Sequence, residues 1–317
     1  ERFIVPPMSI LDARAGYWQE RKREWLSLGI ASQEGREGNL LGCSNTLQNP
    51  DPIERITSSK LPTDGPPPGT SIFDPVLCEL ACRWFAPRGG AILDPFAGGS
   101  VRGVVAGILG HPYTGLELRK EQVAANRAQA KEISDRMPKK PKWIEADAAE
   151  WMGGNTAKTF DFLFSCPPYF DLEKYSDDPR DLSNLETYSD FLEVYGATIA
   201  RAENLLGNNR FAAWVVSEIR SQPSGACRGF VADTIRAFNE AGMYLWNELQ
   251  IVQPVGTAGI RISGQFAKSR KVGRVHQSVL VFFKGDYSKA LEEIGPIEEG
   301  SLPLDDATGG GNVGGAM

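Results

Sequence analysis

The sequence has no long apolar run, few cysteines and no excess of positive charge. No apolar run reaches the roughly 18 residues that a membrane span needs, and residues 1–30 lack the charged-then-apolar order of a signal peptide. The five cysteines are an odd number in a chain of 317 residues, so a disulfide framework is not expected. These absences predict an intracellular, cytoplasmic protein with free thiols and no membrane partner.

The charge balance and the scarcity of metal ligands exclude further classes of function. With 34 Lys and Arg against 40 Asp and Glu, the net charge is −6, so any contact with nucleic acid needs a local basic patch. The chain has two histidines, and Cys78 and Cys82 lack two further ligands, so no structural metal site is expected. Because 41% of the residues are hydrophobic, the sequence predicts a globular, enzyme-sized protein with a buried core.

The chain divides into three regions by composition and periodicity. Residues 1–69 are predicted to form an amphipathic helix over 10–28 and a linker that ends in a Gly- and Pro-rich cluster. Residues 70–285 alternate strand and helix patterns. They predict an α/β fold with a doubly wound, mostly parallel, seven-stranded Rossmann-like sheet and helices on both faces. Residues 286–317 are acidic and then Gly-rich, which predicts a disordered tail. The predicted strands are 91–94, 113–117, 143–145, 160–165, 211–217, 248–252 and 278–283.

Acidic residues follow or end the first three predicted strands. Asp94 ends the first strand before a glycine-containing turn, Glu117 ends the second, and Asp147 follows the third. Because the carboxyl ends of parallel strands meet at the ligand-binding edge of such a sheet, we expect these acids to line one site. Glu117 is suited to both hydroxyls of a ribose. The acids would repel a pyrophosphate, and neither G-x-G-x-x-G nor G-K-[ST] occurs, so a cationic nucleoside cofactor is favoured.

A second run places two prolines and an aromatic residue after a buried strand. The apolar strand over 160–165 is followed by Cys166, Pro167, Pro168 and Tyr169. Two prolines fix φ and donate no N–H, so they leave a rigid ledge lined by carbonyl groups. Such a ledge can hold a flat ring.

These two runs resemble motifs of S-adenosylmethionine-dependent DNA methyltransferases. The run from Asp94 to Gly98 is similar to the D-P-F-x-G motif of that family, and Cys166 to Tyr169 is similar to its [DNS]-P-P-[YF] motif. The segment from Thr70 to Phe73 is similar to the one that the family places near the methionine carboxylate. The resemblance covers about residues 70–285. This chain departs from the family's G-[ST]-G pattern, because Gly98 is followed by Gly99 and Ser100.

The resemblance implies S-adenosylmethionine as cofactor and double-stranded DNA as partner. The implied cofactor-binding residues are Thr70, Ser71, Phe73, Asp94, Phe96, Gly98, Gly99, Ser100, Glu117, Asp147 and Ser165. The implied catalytic residues are those of the ledge. They would accept the exocyclic amino group of a flipped adenine or cytosine, with Tyr169 stacked on the base. Residues 1–30 and 165–183 also resemble modification methyltransferases encoded by phages.

The cysteine at the first position of the second motif leaves the chemistry open. A thiol is a poor acceptor for an amino group, whereas a thiolate could attack C6 of a pyrimidine and activate C5 for methylation. Cytosine C5 methyltransferases use a cysteine after the prolines, and Glu218 at the fifth strand tip could then protonate N3. Cys166 could equally be an inert buried residue. An RNA or protein substrate, or a cofactor-binding subunit without turnover, also fits the sequence.

Two further segments are candidates for contact with the substrate. The predicted loop 255–277 carries no acid and five basic residues, which favours contact with DNA phosphates over a solvated loop. These residues are Arg261, Lys268, Arg270, Lys271 and Arg274. The charged segment 171–183 either closes over a bound base or is a plain connection in which Asp181 or Ser183 caps a helix.

Overall fold

The structure is a computed structural model that describes residues 4–30, 73–155, 159–172, 174–221, 224–255 and 258–297. The strands are β1 (Ile10–Asp12), β2 (Ile92–Asp94), β3 (Tyr113–Glu117), β4 (Lys142–Glu145), β5 (Phe160–Ser165), β6 (Leu206–Val216), β7 (Tyr244–Val252) and β8 (His276–Lys284). The helices are α1 (Gly16–Ser27), α2 (Pro75–Phe85), α3 (Val101–Ile108), α4 (Lys120–Glu132), α5 (Ala148–Gly154), α6 (Tyr188–Leu205), α7 (Phe230–Glu240), α8 (Ala258–Ser269) and α9 (Tyr287–Ile294).

All eight strands form one sheet in the order β1-β7-β8-β6-β5-β2-β3-β4. β8 is antiparallel to both of its neighbours, and every other pair of neighbours is parallel. The predicted α/β class with a mostly parallel sheet is therefore confirmed. The expected number of strands was wrong, because β1 adds an eighth strand at the edge of the sheet.

Alternating apolar residues along the strands divide the core into two clusters, one on each face of the sheet. In β5, Phe162 and Phe164 belong to one cluster and Leu163 to the other, as the period of two in a strand requires. Helices α1 to α4 contribute buried residues to the first cluster, and α5 to α7 contribute to the second. The sheet is therefore covered on both faces, which is the doubly wound arrangement.

The N-terminal segment is part of this sheet rather than a separate helix. Residues 10–12 pair in parallel with the carboxyl end of β7, and the Ala13 N–H donates to the Val252 carbonyl over 3.0 Å. The predicted helix over 10–28 therefore begins only at Gly16. The sequence prediction failed there because the free edge of β7 satisfies the backbone of residues 10–12. The predicted linker 31–69 lies outside the described residues.

A buried carboxylate fixes α1 against α2. The fully buried Glu79 accepts hydrogen bonds from Arg21 Nε at 2.8 Å, Arg83 Nε at 2.9 Å and Trp25 Nε1 at 2.7 Å. Buried charges are tolerated when they are paired and fully hydrogen-bonded, and here both conditions are met. The position of α1 is thus set by its partners on α2.

Two segments that were predicted to be irregular contain helices. The basic segment 255–277 includes α8, and the predicted tail begins with α9. α9 is stabilised by the Asp286 carboxylate, which caps its first turn by accepting the Ser288 N–H over 3.0 Å, and by the burial of Ala290. Its acidic composition concealed the apolar contacts of Ala290, of Ile294 and of Tyr287, whose ring centroid lies 4.6 Å from that of Trp246. Residues 298–317 of the predicted tail lie outside the described residues.

Among the helices of the described ranges, none has the length and apolar character to cross a membrane.

Replacing Glu79 by Gln tests the anchoring of the N-terminal segment. The substitution removes the buried charge that Arg21 and Arg83 share, and we expect the free energy of unfolding in urea to fall by about 3–5 kcal/mol. Glu24→Gln is the matched control, because Glu24 also pairs with Arg21 but is 52% exposed. The control should cost less than about 1 kcal/mol. Equal losses in the two variants would show that the buried cluster is not the anchor.

Candidate functional site

A cavity of approximately 550 Å³ lies along the carboxyl edge of the parallel strands. Its wall runs from the residues after β4, past the tips of β3, β2 and β5, to the end of β7. Among the predicted site residues, it is lined by Phe73, Phe96, Gly98, Gly99, Glu117, Asp147, Cys166, Pro167, Pro168 and Tyr169. The two motifs singled out in the sequence therefore meet in one cavity.

The glycine turn after β2 is held from two sides. Gly98 has φ near 52°, in the left-handed region where glycine carries no steric penalty. Its N–H donates to Glu117 Oε2 over 3.0 Å, and its carbonyl accepts from Asn126 Nδ2 over 2.7 Å. Asn126 is a buried residue of α4 that the sequence did not single out. The turn thus presents a fixed backbone to the cavity.

Glu117 combines burial with spare hydrogen-bonding capacity. Burial raises the pKa of its carboxyl, and the N–H groups of Arg119 and Gly98 oppose that rise. An ionised carboxylate offers about four acceptor sites, and two are used by these N–H groups at 2.9 and 3.0 Å. Its remaining capacity suits two neighbouring hydroxyl groups, as in a ribose.

Asp147 has two simultaneous roles at the next strand end. Its Oδ1 accepts the Glu150 N–H over 2.7 Å and so caps α5. The residue also lines the cavity, 30 positions beyond Glu117 in the sequence and one strand further along the sheet. A helix-capping role therefore does not remove it from the site.

Asp94 lies behind the cavity wall rather than in it. It is fully buried and accepts from Arg102 Nε at 2.6 Å, Tyr113 Oη at 2.6 Å, Ser165 Oγ at 2.5 Å and the Phe96 N–H at 3.2 Å. Burial and the neighbouring Asp94 carboxylate raise the pKa of Tyr113 well above its usual value. The carboxylate therefore joins the tip of β2, the first residue of β3 and the tip of β5, and it lies behind the residues that line the cavity, whereas the sequence predicted a direct cofactor ligand.

Two predicted serine ligands are also part of the supporting structure. Ser165 Oγ is bound to Asp94, and Ser100 Oγ donates to Gln129 on α4. Neither residue lines the cavity. Thr70 and Ser71 lie outside the described residues. Arg102, which the sequence did not single out, does line the cavity, and its guanidinium lies 4.5 Å from the Phe73 ring centroid.

The Cys-Pro-Pro-Tyr ledge carries a short chain of polar groups. Tyr169 Oη accepts from Gln277 Nε2 over 3.2 Å and lies 3.8 Å from Cys166 Sγ. Gln277 in turn accepts from Gln253 Nε2 over 3.0 Å. Burial and the adjacent Cys166 raise the pKa of Tyr169 well above its usual value, so the phenol stays protonated at neutral pH. Because the phenol accepts from Gln277, its own hydrogen is free to point towards the sulfur.

The residue after the ledge has an unusual backbone conformation. Phe170 has φ near 50°, a left-handed value that side chains other than glycine rarely adopt. Its ring packs against Tyr188 and Phe191, with centroids 5.6 and 5.4 Å away, and the Arg228 guanidinium lies 4.9 Å from its centroid. This packing maintains a backbone bend that directs Tyr169 into the cavity.

Glu218 does not face the cavity. Its Oε1 accepts the backbone N–H groups of Ile219, Gly229 and Phe230 over 3.0, 2.9 and 3.1 Å. It therefore holds the first turn of α7 in place. The predicted role as a proton donor to a base is not supported by this position, because the residue is not part of the cavity wall.

The charged segment 171–183 reaches the cavity, whereas the described basic side chains of the segment 255–277 do not. Tyr175, Arg180 and Leu182 line the cavity, and Asp181 both lines it and caps a short 3-10 turn by accepting the Ser183 N–H over 2.9 Å. Lys268, Arg270 and Arg274 are exposed, Lys271 is half-buried, and none of them lines the cavity. Only the backbone of Arg261 is described, as part of α8.

Within the described ranges, no group of three or more His, Cys, Asp or Glu side chains is arranged to hold a metal ion.

Comparison with known proteins yields similarity in structure alone. No protein-family model matches the sequence, and no curated protein matches it. The structure of TrmN from Thermus thermophilus matches with 17% sequence identity and a TM-score of 0.42. The match covers 67% of this chain and 49% of TrmN. A SAM-dependent methyltransferase from Agrobacterium tumefaciens matches with 16% identity and a TM-score of 0.46 over 69% of this chain and 64% of its own. Magnesium protoporphyrin IX methyltransferase from Synechocystis, solved with bound SAM, has 11% identity and a TM-score of 0.41, and the match covers 67% and 79% of the two chains.

Replacing Asp94 by Asn tests whether this residue supports the site from behind. The change leaves the buried Arg102 without its counter-charge, so the free energy of unfolding should fall by about 3–5 kcal/mol. Tyr113→Phe is the matched control, because it removes one neutral donor from the same carboxylate and should cost about 1 kcal/mol. Both values can be measured by urea unfolding. A fully stable Asp94→Asn protein would show that the ion pair with Arg102 does not support the site.

Proposed function

We propose that this protein is an S-adenosylmethionine-dependent DNA methyltransferase that modifies an exocyclic amino group of adenine or cytosine in a flipped base. The observation that carries the proposal is the shared cavity. The glycine turn, Glu117 and Asp147 line one part of it, and the Cys-Pro-Pro-Tyr ledge lines the adjoining part. A nucleoside cofactor and a planar base would then lie side by side.

The acceptor groups of the cavity fit such a cofactor. Its volume of approximately 550 Å³ is within the range of about 300–1,000 Å³ that is usual for small-molecule sites. Glu117 would hold the ribose hydroxyls and Asp147 the adenine amino group, while the turn from Phe96 to Gly99 would lie beneath the sulfonium end. When bound, S-adenosylmethionine supplies an electrophilic methyl group.

The ledge would hold the base and orient its amino group. The Tyr169 ring would stack on the base, and the ledge carbonyls would accept its amino hydrogens. The contact of Tyr169 with the Phe230 ring, at a centroid distance of 5.9 Å, and its bond from Gln277 restrict its rotation. Catalysis of this kind is mostly positioning, because the transfer needs only an in-line approach at about 3–3.5 Å.

The position of Glu218 favours amino-group methylation over C5 methylation. The C5 mechanism needs an acid at N3 of the pyrimidine. Glu218 is the acid that the sequence offers for that role, and its Oε1 is engaged by three backbone N–H groups. Cys166 also precedes the prolines, whereas the nucleophile of the C5 family follows them.

The basic segment would contact the duplex beside the flipped base. α8 connects β7 to β8, and Gln253 and Gln277 at the two ends of this connection line the cavity. Exposed Lys268, Arg270 and Arg274 would therefore lie near the mouth of the cavity, where phosphates flank an extruded nucleotide. The net charge of −6 makes this local concentration of positive charge a specific feature.

Analysis of modified nucleosides tests the proposed function directly. DNA and RNA are incubated separately with protein and S-adenosylmethionine, digested, and examined by mass spectrometry against synthetic standards. We expect N6-methyladenine or N4-methylcytosine from DNA. 5-Methylcytosine would replace the amino-group proposal by the C5 mechanism. Methylation of RNA alone would replace the substrate class. Binding of cofactor without any product would indicate a non-catalytic subunit.

Substitutions of Cys166 separate the two mechanisms. If an amino group is methylated, Cys166→Ser should retain turnover, and Cys166→Asp should equal or exceed the wild type, because oxygen is a stronger acceptor than a thiol. Initial rates of methyl transfer measure this. DNA that contains 5-fluorocytosine should form no denaturant-stable adduct, since no covalent intermediate exists. An adduct that disappears in Cys166→Ser would overturn the amino-group proposal.

Neutralising the basic segment tests the DNA contact. In the triple variant that carries Arg270→Gln, Lys271→Gln and Arg274→Gln, the affinity for DNA should fall. The slope of the logarithm of the binding constant against the logarithm of the salt concentration should flatten by about 0.9 for each lost phosphate contact. Fluorescence anisotropy with a labelled duplex at several salt concentrations gives both quantities.

The control for that experiment lies at the opposite edge of the sheet. Arg136, Lys139 and Lys140 are exposed and precede β4, so they lie near the amino ends of the strands. Their triple Gln variant changes the net charge by the same amount. It should leave the salt slope closer to the wild-type value than the α8 variant does. Equal slopes in the two triple variants would exclude α8 as the DNA contact.

A further inference from the structure

The N-terminal segment contributes side chains to the cavity wall. Ala13, Gln19 and Lys22 line it together with Asp74, the residue that precedes α2. None of the three was singled out as a site residue in the sequence, and they belong to a segment outside the region that resembles the methyltransferase family. Their presence raises the question of what this end of the cavity binds.

Lys22 is positioned by contacts on both sides of it in the chain. β1 is hydrogen-bonded into the sheet beside β7, and α1 is held to α2 by the buried Glu79. Trp18 and Trp25, on either side of Lys22 along α1, are fully buried. Binding of a ligand by Lys22 therefore orders only the lysine side chain, because its backbone is already fixed.

Lys22 has hydrogen-bonding capacity beyond its ion pair. Its Nζ lies 3.0 Å from Asp74 Oδ2, and the two side chains are 31% and 14% exposed. Asp74 accepts three other hydrogen bonds, from the N–H groups of Val76 and Leu77 and from Trp18 Nε1. The carboxylate is therefore well satisfied by its neighbours. An ammonium group has three donors, so the one directed at Asp74 leaves others for a second anion.

The ion pair of Lys22 and Asp74 lies away from the end of the cavity that Glu117 and Asp147 line. Glu117 and Asp147 lie at the side of β3 and β4, which are at one end of the sheet. Lys22 lies away from that end, because its partner Asp74 follows Phe73, whose ring centroid is 5.7 Å from that of Phe164 in β5. The glycine turn follows β2, and the ledge follows β5. A ligand with its nucleoside at Glu117 and its reactive centre at the ledge would extend its remaining part towards Lys22.

We infer that Lys22 binds the carboxylate at the amino-acid end of the cofactor. The inference rests on the function proposed above, because it takes S-adenosylmethionine as the ligand. A charge-assisted hydrogen bond between an ammonium and a carboxylate in a partly enclosed wall is stronger than a neutral one. The N-terminal segment is then part of the cofactor site, and residues 10–27 belong to the catalytic unit.

Two ligands that differ only at the amino-acid end test this inference by calorimetry. S-adenosylhomocysteine carries the carboxylate, and 5′-methylthioadenosine lacks the amino-acid group altogether. In Lys22→Met, the affinity for S-adenosylhomocysteine should fall about tenfold to a hundredfold. The affinity for 5′-methylthioadenosine should stay at the wild-type value, which also shows that the variant is folded. Lys22→Arg should recover most of the loss. Arg23→Met, on the exposed side of α1, is the matched control and should bind both ligands as the wild type does.

The possible outcomes separate this inference from the proposed function. If the wild-type protein binds neither ligand, the proposed cofactor is wrong. If it binds both and Lys22→Met weakens both equally, or neither, then Lys22 does not contact the carboxylate while the cofactor assignment stands. Selective loss of S-adenosylhomocysteine binding in Lys22→Met, with Arg23→Met unchanged, supports the inference.

Discussion

The buried contact between Asp94 and Arg102 is the constraint on which the site depends. One carboxylate, with no access to water, receives hydrogen bonds from α3, β3, β5 and the turn after β2. Moving α3 away would leave the charges of Asp94 and Arg102 unpaired in a medium of low polarity, which is strongly unfavourable, and moving any of the other elements would take a hydrogen bond from the buried carboxylate. These elements therefore behave as one rigid unit. Glu117, the glycine turn and the ledge are attached to that unit, so their relative positions are fixed before any ligand arrives.

The sequence predicted the elements whose signals are local. β3 and β5 have the expected boundaries, because the residues that mark their ends lie within or next to the strands themselves. β1 could not be predicted, since three residues in an otherwise helical pattern become a strand only when the edge of β7 is adjacent. The start of β6 at Leu206 was concealed by Gly207 and two asparagines, whose polarity suggests a turn.

The candidate site was predictable to the extent that strand ends determine it. Glu117, Asp147 and the ledge were expected at the edge of the sheet, and they line the cavity there. Whether an acid at a strand end faces the cavity or the interior depends on partners from distant parts of the chain. Asp94 turns inward because Arg102 and Tyr113 are there, and Glu218 turns to the N–H groups of α7. Lys22 was not singled out because its place in the cavity wall depends on packing between segments 52 residues apart.

The reversal of β8 gives the chain one connection unlike the others. β7 ends at the cavity edge, and because β8 runs antiparallel, it begins at that same edge. The intervening segment, which contains α8, leaves and returns without crossing a face of the sheet. A connection of this kind has no required length, and residues can be inserted or removed without altering strand register or core packing. The segment that carries the exposed basic residues Lys268, Arg270 and Arg274 is therefore also a part that can change while the rest of the fold stays the same.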